Sequence, residues 1–175
     1  MERLEAVVGN AQVLDQCVEV LRRMDDETYA TAGGDEGSPV GAHFRHIFDH
    51  YQLLLAGLTS GRIDYDARGR DPRLEQERGY AIEVAIGLRD ALNNVSADLG
   101  ARHLQVSTRS LADNEMPDWS GSTVRRELQF LVSHTVHHCA LIKQILRQHG
   151  FDAGEEFGLA PSTKSHLVRQ SACAH

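Results

Sequence analysis

With 175 residues, 41% hydrophobic and 25% charged, the chain is sized for one compact domain with its own core and is too short for a large multidomain enzyme. A formal net charge of −7 argues against a nucleic-acid or anionic-membrane surface, because phosphate recognition needs a basic field. Acid in the opening Met1-Glu2-Arg3-Leu4-Glu5, no apolar run near the roughly 20 residues of a membrane span, and three scattered cysteines (Cys17, Cys139, Cys173) together predict a cytoplasmic protein with reduced thiols.

Along the chain, Leu4, Val7, Ala11, Leu14, Cys17, Val18 and Leu21 recur at three- and four-residue steps, predicting an amphipathic helix over residues 2–24. The small and polar run from Thr31 to Ser38 reads as a loop. Ser38-Pro39 then reads as an N-cap with proline in the first turn of a second helix, 39–60, whose apolar side carries Phe44, Ile47, Tyr51 and Leu54 and which closes at Gly61. After a charged connection, Pro72 opens a third helix over 72–99, with Ala81, Ala85, Leu88 and Leu92 as its stripe. His103–Leu111 alternates weakly and predicts an extended segment or short strand, and Asp113–Gly121 a loop. Ser122 or Thr123 caps a fourth helix, 122–149, running from Val124 through Leu131 to Leu146 and ending at Gly150. Residues 151–175, with Gly154, Gly158 and Pro161, read as a coil tail. The expected architecture is an all-α four-helix bundle in a single domain, 1–175, with a long crossover before the last helix.

Ten histidines stand out, and six of them fall in two windows: His43, His46 and His50 in the second helix, and His134, His137 and His138 in the fourth. His134 and His138, four apart, stack on one helical face, the spacing at which two side chains share a metal ion. A facing helix supplies candidates for a third ligand, and bundle cores commonly build metal sites this way. A lone His on a helix is more often a packing residue. Several imidazoles brought together without metal would each need a polar partner, and few are nearby.

Missing motifs narrow the chemistry. Thr135 follows His134, so the His-Glu-x-x-His of zinc proteases is absent; there is no Glu-x-x-His for a di-iron carboxylate site, no Cys-x-x-Cys, no phosphate-binding glycine loop and no Gly-x-Ser-x-Gly. Three neutral imidazoles with open positions suit a divalent Zn, Ni or Fe ion, which would activate water or a small thiol. At about 100° per residue, helical geometry alone slightly favours His43 or His50 over His46 as the third ligand.

Ser38-Pro39, His46 seven residues after the proline, and His134-x3-His138 on the last helix together resemble the DinB/YfiT-like superfamily of metal-dependent four-helix bundles. The likeness covers nearly the whole chain, including the Asp64-Tyr65-Asp66-x-Arg68-x-Arg70-Asp71 stretch and the Gly158-Leu-Ala-Pro-Ser-Thr163 tail. Carried over by position, it implies His46, His134 and His138 as the metal ligands. His43, His50 and His137 then lie around them or at a pocket rim. Members of that superfamily include thiol-dependent S-transferases, a mycothiol-dependent isomerase and the metal-binding helical part of ergothioneine-forming sulfoxide synthases. In those synthases a glutamate stands two residues after the last histidine; here Ala140 does, and their formylglycine-like domain is missing, so that activity is not expected.

Around this centre, Tyr65, Arg68 and Arg70 read as solvated or salt-bridged loop residues, or alternatively as anchors for an anionic substrate. Glu127 reads as a carboxylate orienting a ligand imidazole or as a first-turn acid favouring the helix dipole. Cys139 reads as a buried apolar thiol and Trp119 as a core or interface plug. The function expected is a hydrolase or thiol S-transferase acting on a small molecule, possible as a homodimer. The alternative is a non-catalytic, metal-stabilised stress-response binding protein.

Overall fold

The computed structural model describes residues 4–33, 38–110 and 116–173, with side chains through residue 170. The predicted start of the first helix at residues 2 and 3, the middle of the Thr31–Ser38 loop, part of the Asp113–Gly121 loop and the Cys173 thiol lie outside the described residues or side chains.

Four long helices form the bundle: α1 (Glu5–Arg23), α3 (Val40–Ser60), α5 (Arg78–Asn93) and α6 (Val124–Gln148). α1 and α3 each pack against both α5 and α6, so every helix has two neighbours around one core. That core is built from the stripes that periodicity marks, with Leu14, Leu21, Phe44, Ile47, Leu54, Leu92 and Leu131 all fully buried. Gly61 closes α3 in the left-handed region (φ 76°) with its N–H on the Gly57 carbonyl. Thr123 caps α6 by accepting from the Arg126 N–H. No helix among the described residues is long and apolar enough to cross a membrane.

Several expectations need correction. A three-stranded sheet, β1 (Arg62–Asp64), β2 (His103–Ser107) and β3 (Trp119–Thr123), sits beside the bundle, so the fold is not all-α. β1 pairs parallel to β2 through Ile63↔Val106, and β2 antiparallel to β3 through Gln105↔Gly121. Only β2 carries an alternation, with Leu104 buried between exposed His103 and Gln105; the other two strands are too short or too polar to announce themselves. Trp119–Gly121 is therefore strand rather than loop. Trp119 is only half-buried, with the Arg62 guanidinium 4.2 Å above its ring instead of core around it.

The helix expected over 72–99 is broken into α4 (Arg73–Gln76) and α5, with Glu77 extended between them. The Leu74 carbonyl, which a continuous helix would offer to Arg78, instead accepts the Tyr29 hydroxyl. Tyr29 belongs to a short helix, α2 (Asp26–Thr31), capped by Asp25 and not anticipated from the sequence. A 3-10 turn, Ala97–Ala101, follows α5. At the start of α3, Pro39 occupies the cap position without a side-chain bond, so Ser38 is not the cap. The tail is not all coil: residues 151–160 lie across α1 and α6, and Pro161 begins helix α7 (Pro161–Cys173), the position where a missing N–H costs nothing. Arg23 donates to the Asp152 carbonyl at 2.5 Å and Lys143 to that of Glu155 at 2.8 Å. Ala153 and Phe157 are buried beneath them.

A buried polar chain fixes the helices that carry the histidines. Tyr51 on α3 donates to Asn10 Oδ1 at 2.7 Å and accepts from the Thr135 hydroxyl on α6 at 3.1 Å. Asn10 in turn donates to the Ala6 and Leu128 carbonyls at 2.7 and 2.9 Å. Tyr51 follows His50 and Thr135 follows His134, so satisfying these groups sets the register of α3 against α6.

Candidate metal centre

The two histidine windows meet where α3 faces α6. Ring nitrogens of His46, His134 and His138 all lie within 4.8 Å of one another, a spacing at which three donors can hold one metal ion. His46 Nε2 is 3.1 Å from His134 Nε2. The flanking imidazoles are committed elsewhere. His50 Nδ1 donates to the His46 carbonyl at 2.8 Å, and His43 Nδ1 lies 3.2 Å from His138 Nδ1. His46, rather than His43 or His50, thus brings its ring nitrogen beside those of His134 and His138: helical angle orders residues around an axis, whereas rotamers and backbone bonds decide where a ring nitrogen points.

Burial is the main electrostatic force at the cluster. It pulls His46 down to about 2, His134 to about 3 and His138 to about 4, with neighbouring imidazoles and, for His46 and His134, the Arg68 charge adding to the effect. His43 and His50 are also lowered, chiefly by burial. All three rings of the cluster are thus neutral at pH 7, the form that offers a lone pair to a metal. His134 Nδ1 is buried with no hydrogen-bond partner. Three neutral nitrogens with no carboxylate among them fit a borderline divalent ion.

The sign of the pH effect follows. An unfolded histidine takes up its proton near 6.5. Between that pH and the depressed folded values the unfolded chain binds more protons, so stability is lost as pH falls below about 6.5. The urea midpoint of metal-free protein is expected to drop between about pH 7 and about pH 5, and to drop less in a variant with His46, His134 and His138 all changed to Gln. Equal drops in the two proteins would contradict this electrostatic picture.

One cavity borders the cluster and a second lies beside the neighbouring His50. The first, of about 210 Å³, is lined by Ser38, Ala42, His43, Arg45, His46 and His138, and so reaches two of the three rings directly. The second, of about 290 Å³, is lined by residues that include His50, Tyr65, Ser107, Arg126, Glu127 and Phe130. Tyr65 is buried, stacks on the His50 ring at 5.2 Å and donates to Glu127 Oε2 at 2.9 Å. Glu127 also accepts from the Ser122 hydroxyl. Its carboxylate therefore holds Tyr65 rather than an imidazole, and Tyr65 is not a solvated loop residue. Burial, reinforced by the Glu127 charge, pushes the Tyr65 phenol up and keeps it a donor.

Arg68 is half-buried with a guanidinium nitrogen against His46 Nδ1, whereas Arg70 is exposed, at φ 50°, with its backbone N–H toward Asp49. His137 is exposed on the outer side of α6, its ring edge-on to His138 at 5.5 Å. Sequence reading missed Arg45, Asp49 and Glu75. Asp49 is buried, and burial raises its carboxyl against the opposing pull of Arg45, Arg68 and Arg70. Arg45 pairs with Glu75 and lies 3.9 Å from Asp49. The available signal was an acid three residues past His46, on the flank of α3 that also carries that histidine.

Comparison with known proteins agrees with this architecture. FK506-binding protein 5 of Rhizopus delemar is 31% identical over 109 residues, which cover 62% of this chain and 28% of that protein. The chain thus spans little more than a quarter of that relative's length. Among solved structures, the DinB-like protein YjoA of Bacillus subtilis is similar with a TM-score of 0.63, over 88% of this chain and 96% of that one, at 14% identity, a likeness of fold alone. The sequence profile of the DinB superfamily matches residues 11–142, which span α3, the crossover and most of α6 with both histidine windows, and on that match the chain belongs to the DinB superfamily.

Proposed function

We propose that the protein is a cytoplasmic metal-dependent enzyme in which His46, His134 and His138 hold a divalent Zn, Ni or Fe ion and act on a small molecule by hydrolysis or thiol transfer. The observation that carries this reading is the convergence of three neutral imidazoles at the edge of an open cavity of about 210 Å³. A purely structural metal site would be closed by protein ligands, whereas this one has three and a cavity beside them. When bound, such an ion supplies Lewis acidity that lowers the pKa of a water or thiol near it.

The surrounding residues have definable tasks. His43 fixes the His138 ring through its Nδ1 and leaves the other nitrogen of His138 uncommitted. His50 donates from Nδ1 to a carbonyl, so its Nε2 is a proton acceptor at the wall of the larger cavity. The Tyr65–Glu127 pair holds the His50 ring from its other face.

The test uses full-length protein purified without a His tag or nickel column. Elemental analysis is expected to find near-stoichiometric divalent metal. The loaded protein is expected to accelerate attack of 2-mercaptoethanol on 1-chloro-2,4-dinitrobenzene or hydrolysis of p-nitrophenyl acetate. The variant with His46, His134 and His138 all changed to Ala should lose both metal and rate. Equal metal uptake by that variant would overturn the site, and a loaded protein inert to both substrate types would favour a metal-stabilised binding protein.

A further inference from the structure

Four side-chain atoms among the described residues are buried without a hydrogen-bond partner, and all belong to residues at or beside the histidine centre: His134 Nδ1, Arg45 Nε, Arg68 Nε and Asp49 Oδ2. Buried polar atoms are normally paired, so such a cluster needs a reason. His134 is part of the centre itself, and the Arg45 guanidinium is held by Glu75. That leaves one donor, Arg68 Nε, and one acceptor, Asp49 Oδ2. Asp49 feels the Arg68 charge, yet no ion pair joins the two among the described residues.

What holds Arg68 instead is His46. A guanidinium has donors only, so His46 Nδ1 accepts from Arg68, and the proton of the neutral ring sits on Nε2, the atom facing His134. A His46 that offers its Nε2 lone pair to a divalent ion carries that proton on Nδ1, where it opposes the Arg68 N–H groups. Three neutral ligands also leave the charge of such an ion uncompensated, which disfavours a guanidinium nearby. Both effects act against the same contact. Asp49, three residues past His46 on α3, is the buried acid that already feels the Arg68 charge. Its carboxylate takes the Arg70 N–H and keeps Oδ2 free, while the Arg70 side chain is exposed.

Resting on the metal reading above, we propose that Asp49 is a positioning residue that receives Arg68 when the centre is loaded, freeing His46 to act as a ligand. Arg68 is then a latch with two seats, His46 Nδ1 in the metal-free protein and Asp49 in the loaded one. The two residues set metal affinity in opposite senses: Arg68 competes for His46, and Asp49 removes the competitor. The fork of arginine matches a carboxylate, and the chain supplies that carboxylate itself.

The experiment measures Zn2+ affinity of the full chain by competition against a chromophoric chelator. Arg68→Met, which removes the competing donors, should bind at least as tightly as native protein. Asp49→Asn, which leaves Arg68 on His46, should bind about tenfold or more weakly, the size of one charge-assisted hydrogen bond. In the Arg68→Met background the same change should alter affinity by about twofold or less, since no guanidinium remains to be received. A loss there as large as in the native background would mean that Asp49 acts on the ion by charge alone, and would overturn the proposal. Should Asp49→Asn not fold, the arginine Nε–H resonances of native protein decide. The one missing from Arg68→Met should move downfield on Zn2+ loading as it gains a carboxylate acceptor, and an unmoved resonance would overturn the assignment while leaving the metal centre standing. Failure of native protein to take up Zn2+ would overturn both.

Discussion

His134→Ala is expected to weaken binding of Zn2+ or Co2+ by at least a hundredfold, roughly the upper end of what losing a residue behind a metal ligand costs and so a lower bound for a ligand itself. The ring lies at the middle of the cluster, with centroids 5.0 Å from His46, 4.6 Å from His138 and 4.3 Å from His50. Its removal takes away one of three donors and leaves the other two without the ring that spaces them. Competition against a chromophoric chelator measures the affinity directly. His137→Ala provides the contrast: exposed and only edge-on to His138, it should change affinity by a few-fold at most. Because metal binds the folded chain, native protein should also gain thermal stability on loading, by RT ln(1 + [L]/Kd), and the His134 variant should gain much less. Similar affinities in native protein and His134→Ala would remove the basis for the proposed centre.

The largest stability effect is expected at Gly41. A Cβ there would run into the backbone carbonyl of Glu75, which cannot swing aside as a side-chain tip can. Either the first turn of α3 moves or α4 is displaced, at a cost of about 3 kcal/mol. Gly41→Ala should therefore lower the urea midpoint and, for a domain of this length, the melting temperature by roughly 6–12 °C. The change would also reach the site, because that turn leads into His43 and His46 and because Glu75 holds Arg45. Metal affinity should fall together with stability. Gly87→Ala, in the exposed middle of α5 with open space around the added carbon, should instead stabilise by up to about 1 kcal/mol through helix propensity. Two glycine-to-alanine changes of opposite sign would show that close approach of α3 to α4, rather than glycine content, is what the fold requires. A neutral Gly41→Ala would refute that.

The long helices were legible because their evidence is local. Leu14, Leu21, Phe44, Ile47, Leu131 and Leu146 mark buried stripes by spacing alone, and all are buried. Gly61 and Thr123 mark ends by conformation and hydrogen bonding confined to one turn. The histidine windows were legible for the same reason: His134 and His138 share a face at any tertiary arrangement. What the spacing left open was which histidine of the second helix joins them, and there the fold brings His46.

The tertiary structure decided everything that depends on partners distant in sequence. β1 and β3 exist because β2 supplies their hydrogen bonds, and neither Arg62–Asp64 nor Trp119–Thr123 has a pattern strong enough to predict a strand. At the break beside Glu77, the Leu74 carbonyl is taken by Tyr29, 45 residues away. Glu127 holds Tyr65, 62 residues away, and Arg68 reaches His46, 22 residues away. Residue types and helical period thus determine from the sequence alone that this chain forms an amphipathic bundle carrying two histidine windows. Which nitrogens converge, which charges face them and which carboxylates are already taken are set only when side-chain rotamers, backbone carbonyls and non-neighbouring helices come together, since hydrogen bonds and ion pairs are directional and short-ranged while helical periodicity is not.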